Sequence, residues 1–265
     1  MRTTIIFLAC LISQVVAIDR SVDKRYCTSK LCGSSNTACM NNGTLVYCNL
    51  KGPMMLNMTS YRDPLSKMFN NVRNEVAGGH YRNLPQAARM AKMSWSDELA
   101  WFAHLDVVLC RKTTHHCHTS PYFYYIGVLT EEVFKNYGED TATNLDIMNE
   151  VIEYWKSGIG MIDRKYTLHL PQAFDKASTF RASLLINERN SHFGCATIYF
   201  KNNDHFIFSC AFATANIVGM PVYKWGLKPG IKCHRRDKYY KNLCAIGEKY
   251  NNHKSFYSAE VITEE

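Results

Sequence analysis

Ten of the eleven cysteines lie between residues 27 and 244, behind a short apolar stretch at the N-terminus. An even number of cysteines in this position is typical of secreted chains that form disulfide bonds in an oxidising compartment. The spacing contains no Cys-x2-Cys pairs of the kind that hold structural zinc. We therefore expect an extracellular protein that is cross-linked by disulfides.

The apolar N-terminus has the order of a secretion signal. Arg2 precedes an apolar run at 5–12, and Ala17 is a small residue suited to cleavage. The run is too short to cross a bilayer, and no later segment reaches about 18 uninterrupted apolar residues. We expect a signal peptide at 1–17, a secreted extracellular product with no membrane span, and no nucleic acid partner.

The rest of the chain divides by composition. The 265 residues are 46% hydrophobic and 20% charged, which is enough apolar material for a sizeable core. We expect a cysteine-rich N-terminal lobe at 18–60, the main domain at 61–215 and a C-terminal extension at 216–265. The net charge of +8 includes a basic cluster within 234–241. This cluster suits an acidic glycan or membrane surface, or a solvated loop, which we favour.

Apolar residues at helical spacing predict four helices. They are expected from about Pro64 to Gly78, from Ser94 or Ser96 onward, at 145–156 and at about 174–187. In the second helix Asp106 interrupts an otherwise apolar face.

A β-hairpin is predicted from Phe193–Lys201 and Asp204–Ala213, which are rich in aromatic and β-branched residues. Asn202-Asn203 lies between them, and asparagine tolerates the positive φ of a two-residue turn. With Lys201 opposite Asp204, the same register places Cys195 opposite Cys210. The two cysteines are then close enough to form a disulfide across the strands.

Five stretches in order resemble the CAP superfamily, which comprises cysteine-rich secretory, antigen 5 and pathogenesis-related proteins. Two stretches are similar to family helix motifs: the pattern at 69–79 and the pattern at 88–100, with its Trp and Glu-Leu-Ala. Two more are the seven-residue spacing of Cys110 and Cys117 and the two hairpin strands around Cys195 and Cys210. The fifth is a C-terminal segment at 221–224 and 242–244, which is similar to that of fly antigen 5-related (venom allergen-like) proteins. The Tyr26-Cys27 start of the N-terminal lobe is similar to that of insect antigen 5 proteins.

The resemblance implies an α+β fold, a three-layer α-β-α sandwich. It also implies disulfides, which join Cys27 to Cys39, Cys32 to Cys117, Cys48 to Cys110 and Cys195 to Cys210, and which leave Cys233 to pair with Cys244. The two long connections would clamp the N-terminal lobe onto the helix that carries Cys110.

Many CAP domains have a cleft with two histidines and two acidic residues that can hold a divalent metal. The corresponding positions here are Thr114 (followed by His115), Val128, Glu150 and Arg181, so one of the four is retained. Valine offers no lone pair, and arginine repels a cation. We therefore expect no metal or other cofactor. An ion pair between Arg181 and Glu150 is one hypothesis, and exposure of both to solvent is the alternative.

Three further features stay open. The run His115-His116-Cys117-His118 suits zinc or copper, but a surface loop is favoured because Cys117 is expected to be disulfide-bonded. The run Tyr122–Tyr125 suits core packing, which we favour, or an apolar wall for a ligand or partner. Asn42 and Asn57 begin N-glycosylation sequons.

No catalytic residues are predicted, because no Gly-x-Ser-x-Gly elbow or comparable nucleophile motif is present. The resemblance implies a secreted, monomeric, non-catalytic binding protein for an extracellular protein or small apolar ligand, in seminal or salivary secretions. The alternatives are a lipid or sterol carrier and, less favoured, a metal-dependent hydrolase that uses the CAP cleft.

Overall fold

The computed structural model describes residues 23–45, 52–110, 117–134, 142–200 and 205–256. Within these ranges the α-helices are α1 (Arg62–Ala77), α2 (Asp97–Val107), α3 (Asn144–Lys156) and α4 (Ala177–Leu185). The β-strands are β1 (Pro53–Met55), β2 (Ser94–Trp95), β3 (Gly127–Phe134), β4 (His192–Phe200) and β5 (His205–Phe212). The predicted signal peptide at 1–17 lies outside the described residues.

The strands form one sheet in the order β1-β4-β5-β3, and β2 runs parallel to β4 at its start. The other pairings are antiparallel. In the β4–β5 hairpin Cys195 lies directly opposite Cys210, and the two form a disulfide, so the predicted register is confirmed. The turn at Asn202-Asn203 lies outside the described residues.

The sheet separates two apolar layers, because successive residues of a strand point to opposite faces. In β5, Phe206 and Phe208 join the core beneath α1, α3 and α4, whereas Ile207 and Ala211 join the core beneath α2. The fold is therefore the expected α+β arrangement, a three-layer α-β-α sandwich.

Local polar residues explain where the helices begin and end. The Ser96 side chain accepts a hydrogen bond from the Leu99 amide and caps α2. Thr143 and Asp146 form a capping box that starts α3. Helix α4 is shorter than the predicted 174–187. At its C-terminal end the Asn190 side chain donates to the Leu184 carbonyl at 2.6 Å.

Arg73 of α1 is fully buried and holds three segments together. Its guanidinium donates to the carbonyl of Ala91, and also to those of Leu185 and Asn187 at 2.7 and 2.9 Å. Burial lowers the pKa of Arg73 to about 9. The side chain thus supplies donors to backbone carbonyls that would otherwise be buried without partners.

The N-terminal lobe consists of short 3-10 turns at Lys24–Cys27, Ser29–Leu31 and Gly33–Ser35. Disulfides join Cys27 to Cys39, Cys32 to Cys117 and, in the C-terminal extension, Cys233 to Cys244. Cys110 is disulfide-bonded, and its expected partner Cys48 lies outside the described residues. The lobe also packs directly on α2, since the Tyr26 ring meets that of Phe102 edge-on. The domain boundaries at 17, 60 and 215 stay predictions.

Candidate functional site

Arg181 stands where the resemblance implies a histidine, and it is held between α4, α3 and β3. The guanidinium donates to the Tyr154 hydroxyl at 2.6 Å and lies 4.6 Å from the centre of that ring. Its Nε lies 3.7 Å from a carboxylate oxygen of Glu131, whose same oxygen accepts from Trp155 Nε1 at 3.2 Å. The Arg181 side chain is only 7% exposed. The position is therefore occupied by a buried arginine that is hydrogen-bonded to Tyr154 and paired with Glu131.

The hypothesis of an Arg181–Glu150 ion pair is wrong for the described residues. Glu150 lies on the exposed face of α3, whereas the described carboxylate partner of Arg181 is Glu131 on β3. Position 131 was missed because its pairing partner is 50 residues away. The sequence signal for Glu131 is a charged residue on the strand face that points toward α3 and α4. Which face of the strand points that way is known only from the packing of the helices on the sheet.

Val128 lies on the opposite face of the sheet from Glu131. It packs against the α2-side core, whereas its neighbour Leu129 belongs to the core beneath α3 and α4. The structure therefore does not bring Val128 and Arg181 onto one face. Thr114 and His115 lie outside the described residues, so the remnant cleft as a whole stays a prediction.

A second polar cluster lies on the α2 side of the sheet. The Thr130 hydroxyl of β3 hydrogen-bonds the Asp106 carboxylate of α2, and it lies 2.9 Å from the Ser209 hydroxyl of β5. Asp106 is only 3% exposed. Burial raises its pKa to about 6, against the opposing effect of the hydrogen bonds from Thr130 and Ser209. The cluster fixes α2 on the sheet and retains a titratable group.

The C-terminal extension forms a groove of about 760 Å³ with Arg89 and residues 245–249. Glu248 is buried there, accepts from Arg89 at 2.8 Å and also accepts from the His234 amide at 3.0 Å. An adjoining recess of about 290 Å³ shares residues 245–249 and includes Lys92, which pairs with Asp237 at 2.9 Å. Both carboxylates are thus occupied by protein donors.

The two residue runs noted in the sequence have separate roles. In the first run Cys117 is bonded to Cys32, and His118 meets Phe102 edge-on, while 115 and 116 lie outside the described residues. In the second run Phe123 is buried in the α2-side core, and Tyr125 stacks on Phe256 of the C-terminal extension. Phe123 and Tyr125 thus contribute to packing, as we favoured, whereas Tyr122 is 62% exposed.

The sequence model of the cysteine-rich secretory protein family, CAP, matches residues 66–212, which is more than half of the chain. The chain belongs to this family. The matched region begins within α1 and ends with β5, so it contains α2, α3, α4 and the strands β2 to β5, whereas β1 and the first turn of α1 precede it.

Relatives of similar length support the assignment. Tabinhibitin 1 of Tabanus yao is 29% identical over 200 residues, which cover 75% of this chain and 77% of that protein. Tabinhibitin 6 of the same organism is 27% identical over 94% of this chain and 97% of its own length. Venom allergen-1 of Aedes aegypti is 25% identical over 84% of this chain and 88% of that protein.

Solved structures show the same fold at low identity. Na-ASP-1 has a TM-score of 0.58 and 19% identity over 75% of this chain and 55% of its own. NaASP2, solved with Zn2+, has a TM-score of 0.56 and 20% identity over 70% of this chain and 95% of its own.

The described residues at the positions that the resemblance assigns to the family cleft do not fit a metal ion. They offer the exposed carboxylate of Glu150, the apolar side chain of Val128 and the buried guanidinium of Arg181. A permanent positive charge at 181 opposes a cation. Across the described residues no three His, Cys, Asp or Glu side chains cluster as metal ligands, and no helix there is long and apolar enough to cross a membrane.

Proposed function

We propose that this chain is a secreted, non-catalytic member of the family that binds another extracellular protein. The observation that supports the proposal is the arginine at position 181. Its guanidinium is hydrogen-bonded to Tyr154 and paired with Glu131 in a mostly buried site. The Arg181 guanidinium joins α4 to α3 and β3, and its removal would leave the Glu131 carboxylate poorly compensated. The arginine therefore has a structural role in packing.

The relatives support the extracellular part of the proposal. The names Tabinhibitin and Venom allergen describe an inhibitor and an allergen, and neither names a reaction. The disulfides Cys27–Cys39 and Cys195–Cys210 suit an oxidising compartment. We further propose seminal or salivary secretion. Immunoblotting of the two fluids with antibody to this chain tests that, and absence from both would contradict it.

The first experiment is native mass spectrometry of the chain purified from its own secretion without chelator. We expect the mass of the disulfide-bonded chain and of a complex with a second protein. Asn42 and Asn57 are both exposed, so removal of N-glycans is expected to lower the mass. Retained zinc together with hydrolase activity would contradict the proposal, and a retained sterol or fatty acid would support the carrier instead.

A matched variant makes the zinc test decisive. Arg181→His removes the positive charge that opposes a cation and supplies an imidazole at that position. Val128 is left unchanged, because it lies on the opposite face of the sheet. Zinc titration by calorimetry should show no stoichiometric binding to the native chain. Stoichiometric zinc binding by the native chain, as tight as by Arg181→His, would mean that position 181 does not govern metal binding and that the reasoning is wrong.

A further inference from the structure

A loop of the C-terminal extension, residues 225–231, displays large apolar side chains on a rigid backbone. Leu227 is 85% exposed, Ile231 is 56% exposed and Trp225 is 48% exposed. A Cβ placed on Gly226 would lie 3.0 Å from Cγ2 of Ile231, so Ile231 packs against the backbone between the other two. The three exposed apolar side chains lie within one short loop and are called the apolar patch below, in contrast to exposed apolar residues that occur singly along a chain.

The backbone of this loop is tied to the main domain at several points. The Gly226 amide donates to Gln86 and the Gly230 amide donates to Ala87, each at 2.9 Å. The Lys232 amide donates to Ala88 at 2.8 Å. Just beyond the loop, Cys233 is bonded to Cys244. The apolar patch is thus held outward by the fold, and a partner that covers it need not order the loop first.

Lysines alternate with the apolar residues of the loop. Lys224, Lys228 and Lys232 are exposed, and none forms an ion pair with a described residue. The segment 224–236 carries five Lys and Arg residues and no Asp or Glu. The patch is therefore flanked by an excess of positive charge, of which the part at Lys224 is offset by the nearby Glu188 carboxylate. The remaining excess is complementary to a negatively charged surface.

We propose that the 225–231 loop docks the protein on the surface of an anionic phospholipid membrane. Tryptophan favours the boundary between headgroups and acyl chains, and lysine stems extend along apolar surface while the ammonium reaches the headgroups. A sulfated glycan would satisfy the lysines but offers nothing apolar to cover Leu227 and Ile231. The boundary of the bilayer accepts the apolar side chains and its anionic headgroups pair with the lysines. Stable peripheral binding needs two such contributions, and the loop supplies both.

The test is co-sedimentation of the full disulfide-bonded chain with vesicles of phosphatidylcholine alone, or with part of it replaced by phosphatidylserine. We expect binding to the second kind only, weakened by added salt. Leu227→Ser combined with Ile231→Ser should weaken binding about tenfold or more, because two apolar side chains lose their burial. Lys228→Gln should weaken it about fivefold, the effect of one basic residue near an anionic surface.

The controls use residues far from the loop in the chain. Leu168→Ser removes another leucine that is 63% exposed, and Lys67→Gln removes an exposed lysine of α1; neither should change vesicle binding. Circular dichroism should show the same folded spectrum for every variant at the assay temperature, because the backbone hydrogen bonds of the loop and the Cys233–Cys244 disulfide are unchanged. Brominated lipid should quench tryptophan emission in the native chain and quench it less in Trp225→Phe.

Three results would overturn the proposal. The first is that the chain binds neither kind of vesicle. The second is vesicle binding that the Leu227 and Ile231 changes leave intact. The third is competition by a sulfated polysaccharide that depends on Lys228 but not on Leu227, which would make the loop a glycan site. None of these results bears on zinc retention or on a co-purifying protein, so the proposed function is tested separately.

Discussion

Replacing Asp106 by asparagine should remove a pH dependence that the native fold carries. The carboxyl is buried between α2 and the sheet, and its described hydrogen-bond partners are the Thr130 and Ser209 hydroxyls. Burial raises its pKa from 3.8 to about 6. The folded chain therefore holds the proton more tightly than the unfolded chain does, and deprotonation at higher pH costs stability.

The size follows from linkage between protonation and folding. A shift from 3.8 to about 6 corresponds to about 3 kcal/mol of unfolding free energy, to order of magnitude. This contribution is fully present below the unfolded-state pKa and is lost as the pH rises through the folded-state pKa. The native chain should thus lose stability relative to Asp106→Asn between about pH 4 and about pH 6, and the difference should then stay level.

The assay is guanidinium unfolding of both chains, followed by tryptophan fluorescence with the disulfides intact, from about pH 4 to about pH 8. The difference between the two chains isolates Asp106 from carboxylates that behave oppositely, such as Asp237, whose pKa is lowered. Glu150→Gln, which changes a solvated carboxylate on α3, controls for charge.

A second variant checks the cause. Thr130→Val removes a hydrogen bond that lowers the Asp106 pKa, so the loss of stability should move to higher pH. Parallel stability curves for the native chain and Asp106→Asn over the whole range would refute the reasoning, because they would mean that Asp106 does not titrate differently in the folded state.

Three stability predictions follow, each measured by chemical denaturation against the native chain. Arg73→Met should cost about 4 kcal/mol or more, because several carbonyls that it serves are left buried without donors; a change near 1 kcal/mol would mean that water replaces it. Gly194→Ala should cost at least about 2 kcal/mol, since the new Cβ would lie 2.1 Å from the Ala100 amide nitrogen and would push α2 off the sheet. Arg181→Met should cost about 1–3 kcal/mol through the uncompensated Glu131 carboxylate, and stability equal to the native chain would show that this pair is dispensable.

Much of the fold could be predicted from local pattern. Helical spacing located α1 and α3 closely, and the hairpin register correctly placed Cys195 opposite Cys210. These predictions succeed because helix faces and strand pairs are set by residues a few positions apart. The predicted bounds of α4 were less accurate, because the Leu184 carbonyl near its end accepts a hydrogen bond from the side chain of Asn190 in the next segment.

The candidate site could be predicted only in part. The sequence singled out position 181 and showed that its arginine does not suit a cation. It also showed that Asp106 interrupts an apolar face. It named the wrong partner for Arg181, because Glu150 was chosen as the acidic residue retained at the positions that the resemblance assigns to the cleft, whereas Glu131 comes from β3.

The sequence alone was enough to predict the family, the helices, the hairpin and the disulfide-bonded character. That 128 and 181 stand at former ligand positions of the cleft stays a prediction. Which groups meet across separate elements depends on how the chain folds: Arg181 meets Glu131, Asp106 meets Thr130, and the 225–231 loop meets the backbone of Gln86 and Ala87. The physical reason is that local periodicity sets which face of an element is apolar. The partner of a single buried charge depends on how separate elements stack on the two sides of the sheet.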